Sequence, residues 1–181
     1  MTDAVPPRLA PLPDEDWDDE TRAALSPLLP RERANPRDAG NVLGTLVRHP
    51  DLTRAYLHFN AHLLRTSTLS DRVREVALLR AVHVRPSHYL WEHHIPLARR
   101  AGLTDDEIDA IAQGDPADAL DRLLVRTVDE LDATNTVGDA TWSALREHFD
   151  ERQILDLLFT VGCYQLLGAA VNVLGVLPEP Q

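Results

Sequence analysis

The residues with the clearest capacity for chemistry lie between Glu75 and His94, in the stretch EVALLRAVHVRPSHYLWEHH. It places one carboxylate in a mostly apolar helix and holds four of the eight histidines, His83, His88, His93 and His94. At 100° per residue, Glu75 shares its face with Leu78, Leu79 and Val82, and the opposite face carries Val73, Val76, Ala77 and Val84. A helix that is apolar on both faces is buried, and a lone carboxylate is costly there. Two readings follow. Glu75 has a structural ion-pair partner among the arginines, or its environment raises its pKa as in a working acid–base group. His94 shares an inward face with Ser87, Leu90, Trp91, Ala98 and Ala101. One of its ring nitrogens needs a partner, and a carboxylate from a neighbouring helix would suit. A satisfied core histidine and a general acid/base both fit that position. His93 points about 100° away, near Tyr89 and Leu97. His88 and Glu92 are spaced for a surface pair.

Other chemistries leave weaker marks. His58 and His62 stand four residues apart, and a third ligand from His93, His94 or Glu75 would complete a facial triad. No HExxH or paired Glu-x-x-His motif accompanies them. Cys163 is the sole cysteine, so a disulfide or dithiol cycle within one chain is impossible, and its apolar setting reads as a packing thiol. Ser87 beside His94 suggests a nucleophile, but its place at a helix start suits an N-terminal structural role. All 18 basic residues are arginine, which removes Schiff-base chemistry and a lysine-anchored pyridoxal cofactor. There is no P-loop or GxGxxG. No cofactor is expected. The net charge of −11 repels phosphate backbones, which argues against a nucleic-acid role.

The elements that must position these side chains read as helices throughout. Residues 1–13 carry four prolines and read as an extended arm. PDEDWDDETRAAL then reads as a short acidic helix, and residues 26–40 as a Pro- and Arg-rich loop. Asn41–His49 reads as a short helix. Pro50 opens the next one, which runs to about Arg65 with Leu52, Tyr56, Phe59 and Leu63 on one side. Ser70 caps a helix to about Arg85, and Pro86 lies in the first turn of the helix that carries His94 and ends at Ala101-Gly102. Pro96 removes a backbone hydrogen bond one turn past the histidines and predicts a kink. Thr104 to Glu107 forms a capping box, Asp115-Pro116 starts a helix ending near Asp132, and Asp139 starts another. Asp150 and Gln153 open a long C-terminal helix to about residue 174. Its apolar length would span a bilayer, but Asp156, Gln165 and Asn172 interrupt it, so a core or subunit-interface helix is expected in a cytoplasmic protein without a membrane partner.

Several phrases in this series resemble the carboxymuconolactone decarboxylase family, which includes the alkylhydroperoxidase D-like proteins. They are NVLGTLVRHPDL, LSDRVREVALLRAV, YLWEHHIPLARRAGLTDDEI, LLVRTVDEL, DATWSAL and ILDLLFTVGCYQLLGAAVNVLGV. The resemblance implies an all-α bundle of about seven to nine helices over residues 40–177, after a region of arm, short helix and loop over 1–39 and before a tail at 178–181. The family's peroxidase branch has Glu-x11-Cys-x2-Cys-x3-His, and this chain matches the spacing with Glu75, Ser87, Leu90 and His94. Both ends are kept and both thiols are gone, so thiol peroxidase chemistry does not carry over. The decarboxylase branch has Tyr-Glu-Trp ahead of its His. Here the stretch is Tyr89-Leu90-Trp91, with His94 in register and the acidic residue missing.

The expectation is a cofactor-independent acid–base enzyme of decarboxylase, isomerase, cyclase or dehydratase type. Its substrate would be a small organic acid, lactone or enolisable carbonyl compound. His94 would be the acid/base and Glu75 would orient it, with His93, Trp91, Tyr89, Ser87 and Leu90 about the substrate. The resemblance also implies a homo-oligomer, a trimer or hexamer. The alternatives are a non-catalytic binding or regulatory protein on the same scaffold and a metal-dependent enzyme using His58 and His62.

Overall fold

Capping chemistry sets most of the helix boundaries. The computed structural model describes residues 6–179, so residues 1–5 of the expected arm and 180–181 of the expected tail lie outside the described residues. Among the described residues there are nine α-helices and no strand. They are α1 (Asp19–Ala24), α2 (Pro36–Leu46), α3 (Pro50–Arg65), α4 (Asp71–Val84), α5 (His88–Arg100), α6 (Asp105–Gln113), α7 (Ala119–Thr134), α8 (Asp139–His148) and α9 (Glu151–Leu174). Ser70 Oγ accepts the Val73 N–H at the start of α4. Thr104 and Glu107 close the expected capping box of α6, and Asp150 and Gln153 exchange reciprocal bonds of 2.9 and 3.0 Å before α9. Gly102, just past α5, takes φ +95°, a conformation that favours glycine.

Five local expectations are corrected. The acidic helix is two pieces, a 3-10 turn at Asp14–Asp16 and α1, because Asp18 caps the second and Trp17 turns inward. The 26–40 loop contains a 3-10 turn at Arg31–Arg33 and the start of α2. Asn35-Pro36 is an N-cap followed by a first-turn proline, and Asn35 accepts the Asp38 N–H at 3.0 Å. Gly40, at φ +68°, breaks α2 internally, so a helical run after it begins close to the expected Asn41. On α3 the buried stripe is Thr53, Leu57, Asn60 and Leu63, while Leu52 and Phe59 are exposed. α7 starts three residues later than expected, because Asp118 accepts the N–H groups of Leu120 and Asp121 and fixes the cap. Pro86 lies in the turn before α5, and Ser87 occupies the N-cap position without a side-chain capping bond.

The chain forms two compact units. One comprises residues 67–169, and the other combines the chain up to Thr66 with the segment from Ala170, so α9 contributes to both. In the first unit α4 is the central element, packed against α5, α6 and α7. Val76, Ala77, Leu78 and Leu79 have no solvent exposure, and three of them cluster with Leu124 and Val128 of α7, Ile111 of α6 and Leu157 of α9 among others. Each such buried aliphatic side chain of Val or Leu size contributes roughly 1.5–3 kcal/mol. Arg80 of α4 forks onto Asp129 of α7 at 2.6 and 3.0 Å and donates to the Ile111 and Ala112 carbonyls at the end of α6. One side chain thereby ties three helices and satisfies carbonyls that α6 leaves open.

The second unit has its own small core of Trp17, Leu25, Ala34, Ala39, Val47 and Leu57. Trp17 Nε1 donates to the Leu12 carbonyl at 3.1 Å. The chain ends meet there, with Arg8 N donating to the Leu174 carbonyl at 2.9 Å and Asn41 Nδ2 to the Leu177 carbonyl at 2.8 Å.

Candidate functional site

Glu75 lies in the second turn of α4, on a helix whose buried residues cover nearly every direction. It is 2% exposed, and His94 of α5 is 4% exposed. The His94 Nδ1–H donates to Glu75 Oε2 at 2.9 Å. A carboxylate can only accept, so this bond fixes the tautomer and leaves Nε2 as the nitrogen able to exchange a proton. Arg74 Nε stands 3.6 Å from Glu75 Oε1, an ion pair too long for a hydrogen bond, and Arg74 Nη1 also pairs with Asp71 at 2.9 Å.

The other expected site residues divide into three groups. Ser87 and Leu90 are buried against α9. A Cβ added at Gly168 would stand 3.2 Å from Ser87 Cβ and 3.6 Å from Leu90 Cδ1, so α9 approaches α5 closely because residue 168 has no side chain. Ser87 Oγ is buried and has no hydrogen-bond partner. Tyr89 and His93 stack at 6.3 Å with their planes 10° apart, and the His93 ring lies 5.6 Å from that of His94. Trp91 packs on the α4 core and meets the His83 ring at 5.4 Å. His83 is exposed, and burial of part of its ring, with Arg80 nearby, lowers its pKa. α5 runs through Pro96 to Arg100.

One neighbour of the pair, and one buried hydroxyl on the same helix, escaped sequence reasoning. Tyr164 of α9 is 3% exposed and meets the His94 ring edge-on, with centroids 5.0 Å apart and planes at 87°. Thr160, one turn earlier on α9, is fully buried and its hydroxyl has no partner. The signal for both was weak, since only helix packing tells which face of the nearly all-apolar α9 meets α5. Cys163 is buried, in keeping with a packing thiol. His58 and His62 are exposed on α3. Among the described residues no three His, Cys, Asp or Glu side chains group as metal ligands would.

A separate cavity of about 620 Å³ lies along α7 and α8, with Arg122, Arg126, Asp129, Glu130 and His148 among its lining residues. Its carboxylates are already engaged, Asp129 by Arg80 and Glu130 by Thr141 Oγ1 and the Gly138 N–H. The buried Glu75–His94 pair is the better candidate for acid–base chemistry, because its geometry orients a titratable ring.

These features define an all-α fold with a Glu–His pair bridging two consecutive helices. It is the fold of an uncharacterized peroxidase-related protein from Ralstonia eutropha JMP134, described as an alkylhydroperoxidase AhpD core (TM-score 0.75, 21% identity, 97% of this chain and 94% of that one). An uncharacterized peroxidase-related protein from Silicibacter sp. TM1040 is also similar (TM-score 0.71, 20% identity, covering 97% and 91%). So is a protein of unknown function from Agrobacterium tumefaciens, described as a candidate antioxidant defence protein of the AhpD type (TM-score 0.64, 18% identity, covering 74% and 94%). Residues 50–129 match the carboxymuconolactone decarboxylase family. Over that segment the chain is similar to this family, and its fold is that of the alkylhydroperoxidase D-like structures. No curated protein sequence matches it significantly.

Proposed function

We propose that the chain is a cofactor-independent acid–base enzyme acting on a small organic acid, lactone or enolisable carbonyl compound. The observation that carries this reading is the 2.9 Å bond between His94 Nδ1 and Glu75 Oε2 in a buried setting. Glu75 holds the ring in one tautomer and stabilises the imidazolium that forms when Nε2 accepts a proton. His94 then returns that proton to the product carbon or oxygen. A positioned histidine of this kind contributes about 10²–10⁴ in rate. The superfamily's peroxide chemistry is a poor fit, since Ser87 and Leu90 stand where the resemblance places the paired thiols and Cys163 has no second cysteine.

Solvent deuterium incorporation tests this without knowledge of the overall reaction. The protein is incubated in heavy water with a panel of small keto acids and lactones, and exchange at the acidic carbon is followed by proton NMR. Wild-type protein should exchange at least one compound, His94→Gln should abolish that exchange, and Glu75→Gln should slow it. Exchange at the wild-type rate in both variants, with unchanged circular dichroism, would sink the assignment. The 4% exposure of His94 favours a second reading, a binding protein without turnover. Saturable ligand binding with no exchange on any panel compound would support that reading instead.

A further inference from the structure

The cavity along α7 and α8 lies wholly within the unit of residues 67–169, and neither Glu75 nor His94 lines it. Small side chains make its room. Ala119 of α7, Ala144 of α8 and Gly114 at the end of α6 form part of its wall, beside the buried Leu123 and Val125. Its volume of about 620 Å³ suits a small organic molecule, since such sites span roughly 300–1,000 Å³. Glu130 of α7 accepts from the Gly138 N–H and from Thr141 Oγ1, so the start of α8 lies beside Glu130. α8 then runs back along α7 and brings Ala144 and His148 to the end of the cavity that holds Arg126 and Arg122.

Charge distinguishes that end. The chain has 29 acidic residues against 18 arginines, and in this unit Arg72, Arg80, Arg85, Arg99 and Arg146 each hold a carboxylate. Arg122 and Arg126 hold none among the described residues. Arg122 Nη1 donates to the Pro116 carbonyl at 3.2 Å and to the Ala117 carbonyl. Those bonds fix the guanidinium without neutralising it, and Nε and Nη2 keep three N–H donors open. Arg126 makes no side-chain hydrogen bond, and neither does His148. The carboxylates nearby are committed elsewhere. Asp129 takes the fork of Arg80, both oxygens of Glu130 are bonded, and Asp118 accepts the Leu120 and Asp121 N–H groups at the α7 cap.

We propose that this cavity binds a small organic monocarboxylate, with its head on Arg122 and Arg126 and its apolar body over Leu123 and Ala144. Residues four apart on a helix stand about 5–6 Å apart at Cβ, close enough for two guanidinium groups to share one carboxylate. The planar donor fork of arginine matches the two oxygens of that group. Asp129 and Glu130 stand further along the wall, and a second carboxylate on the ligand would meet their charge. A polyanion is excluded by the net charge of −11 over the rest of the surface. The apolar wall favours an anion with a hydrocarbon body over a fully hydrated one such as inorganic phosphate.

The probe is sodium octanoate, titrated into the full-length chain by isothermal titration calorimetry at low ionic strength. One saturable site is expected. Affinity should rise about two- to fourfold per methylene from butanoate to octanoate, and octan-1-ol should bind about tenfold more weakly or worse. Arg122→Gln and Arg126→Gln change exposed side chains, so both variants should fold and should weaken octanoate about tenfold or more. Ala119→Trp, also at an exposed position, should block binding by filling the cavity without altering its charge. His94→Gln should bind octanoate as the wild type does, and Arg126→Gln should retain the deuterium exchange described above, so this proposal and the acid–base reading fail separately. Absence of saturable binding would overturn the proposal, as would octanol or inorganic phosphate binding as tightly as octanoate. Octanoate affinity retained in both arginine variants would overturn it as well.

Discussion

Removing His94 alone should cost more than removing both members of the Glu75–His94 pair. His94→Leu leaves a 2% exposed carboxylate facing apolar neighbours, with Arg74 Nε at 3.6 Å as the remaining cation at that oxygen pair. Stripping a buried carboxylate of its partner in this way costs about 3–5 kcal/mol. Glu75→Leu instead leaves a histidine that can stay neutral, and the loss is that of one charge-assisted hydrogen bond, about 1.5–3 kcal/mol. The double variant buries neither group, so its cost should fall below that of His94→Leu alone, with a coupling energy of about 2 kcal/mol or more. At about 2–4 °C per kcal/mol for a chain of this size, His94→Leu should lower Tm by on the order of 10 °C. Urea unfolding followed by tryptophan fluorescence, with thermal melts of the same four proteins, measures the cycle. Additive single effects, within about 0.5 kcal/mol, would refute the claim that the two side chains hold one another in the core.

Two further predictions concern the scaffold. Gly168→Val should destabilise by about 1–3 kcal/mol through overpacking, read as a lower Tm, because a Cβ there already crowds Ser87 Cβ at 3.2 Å; an unchanged Tm would contradict the close approach of α5 and α9. Acid should destabilise the fold through three carboxylates whose pKa values are lowered, Glu130 by the Thr141 hydroxyl and Gly138 N–H, Glu107 by the Thr104 N–H and Arg72, and Asp118 by the Asp121 and Leu120 N–H groups. Their contribution is complete above their unfolded values, about 4, and is lost as pH falls through the folded values. Asp121 acts in the opposite direction, since burial raises its pKa and its contribution is lost as pH rises through the folded value. Tm should therefore fall between pH 5 and pH 3 (about the range set by those unfolded values), and Glu130→Gln should flatten the slope; an identical slope would show that Glu130 contributes nothing.

Helix identity was legible because it depends on short-range chemistry. The Thr104–Glu107 box, the Ser70 cap and Pro50 at a first turn each involve residues within four positions of one another. Where the reading slipped, two local signals competed or a signal was overlooked. Asp118 fixed the start of α7 over Asp115-Pro116, and Asn35-Pro36 opened α2 inside a stretch read as loop. On α3, apolar residues occupy more than one side, so periodicity alone could not choose between Leu52 with Phe59 and Leu57 with Leu63.

By itself, the sequence determined that Glu75 sits on a helix with no polar face and that His94 points inward one helix later. Helical periodicity and the break at Pro86 are enough for that. Only the tertiary structure decided that the two meet at 2.9 Å, because the crossing of α4 and α5 depends on how both pack against α6, α7 and α9. It also decided that Tyr164 closes on the His94 ring and that Ser87 and Leu90 face Gly168. These are contacts between positions some 70 to 80 residues apart, and no local rule of chain geometry reaches that far.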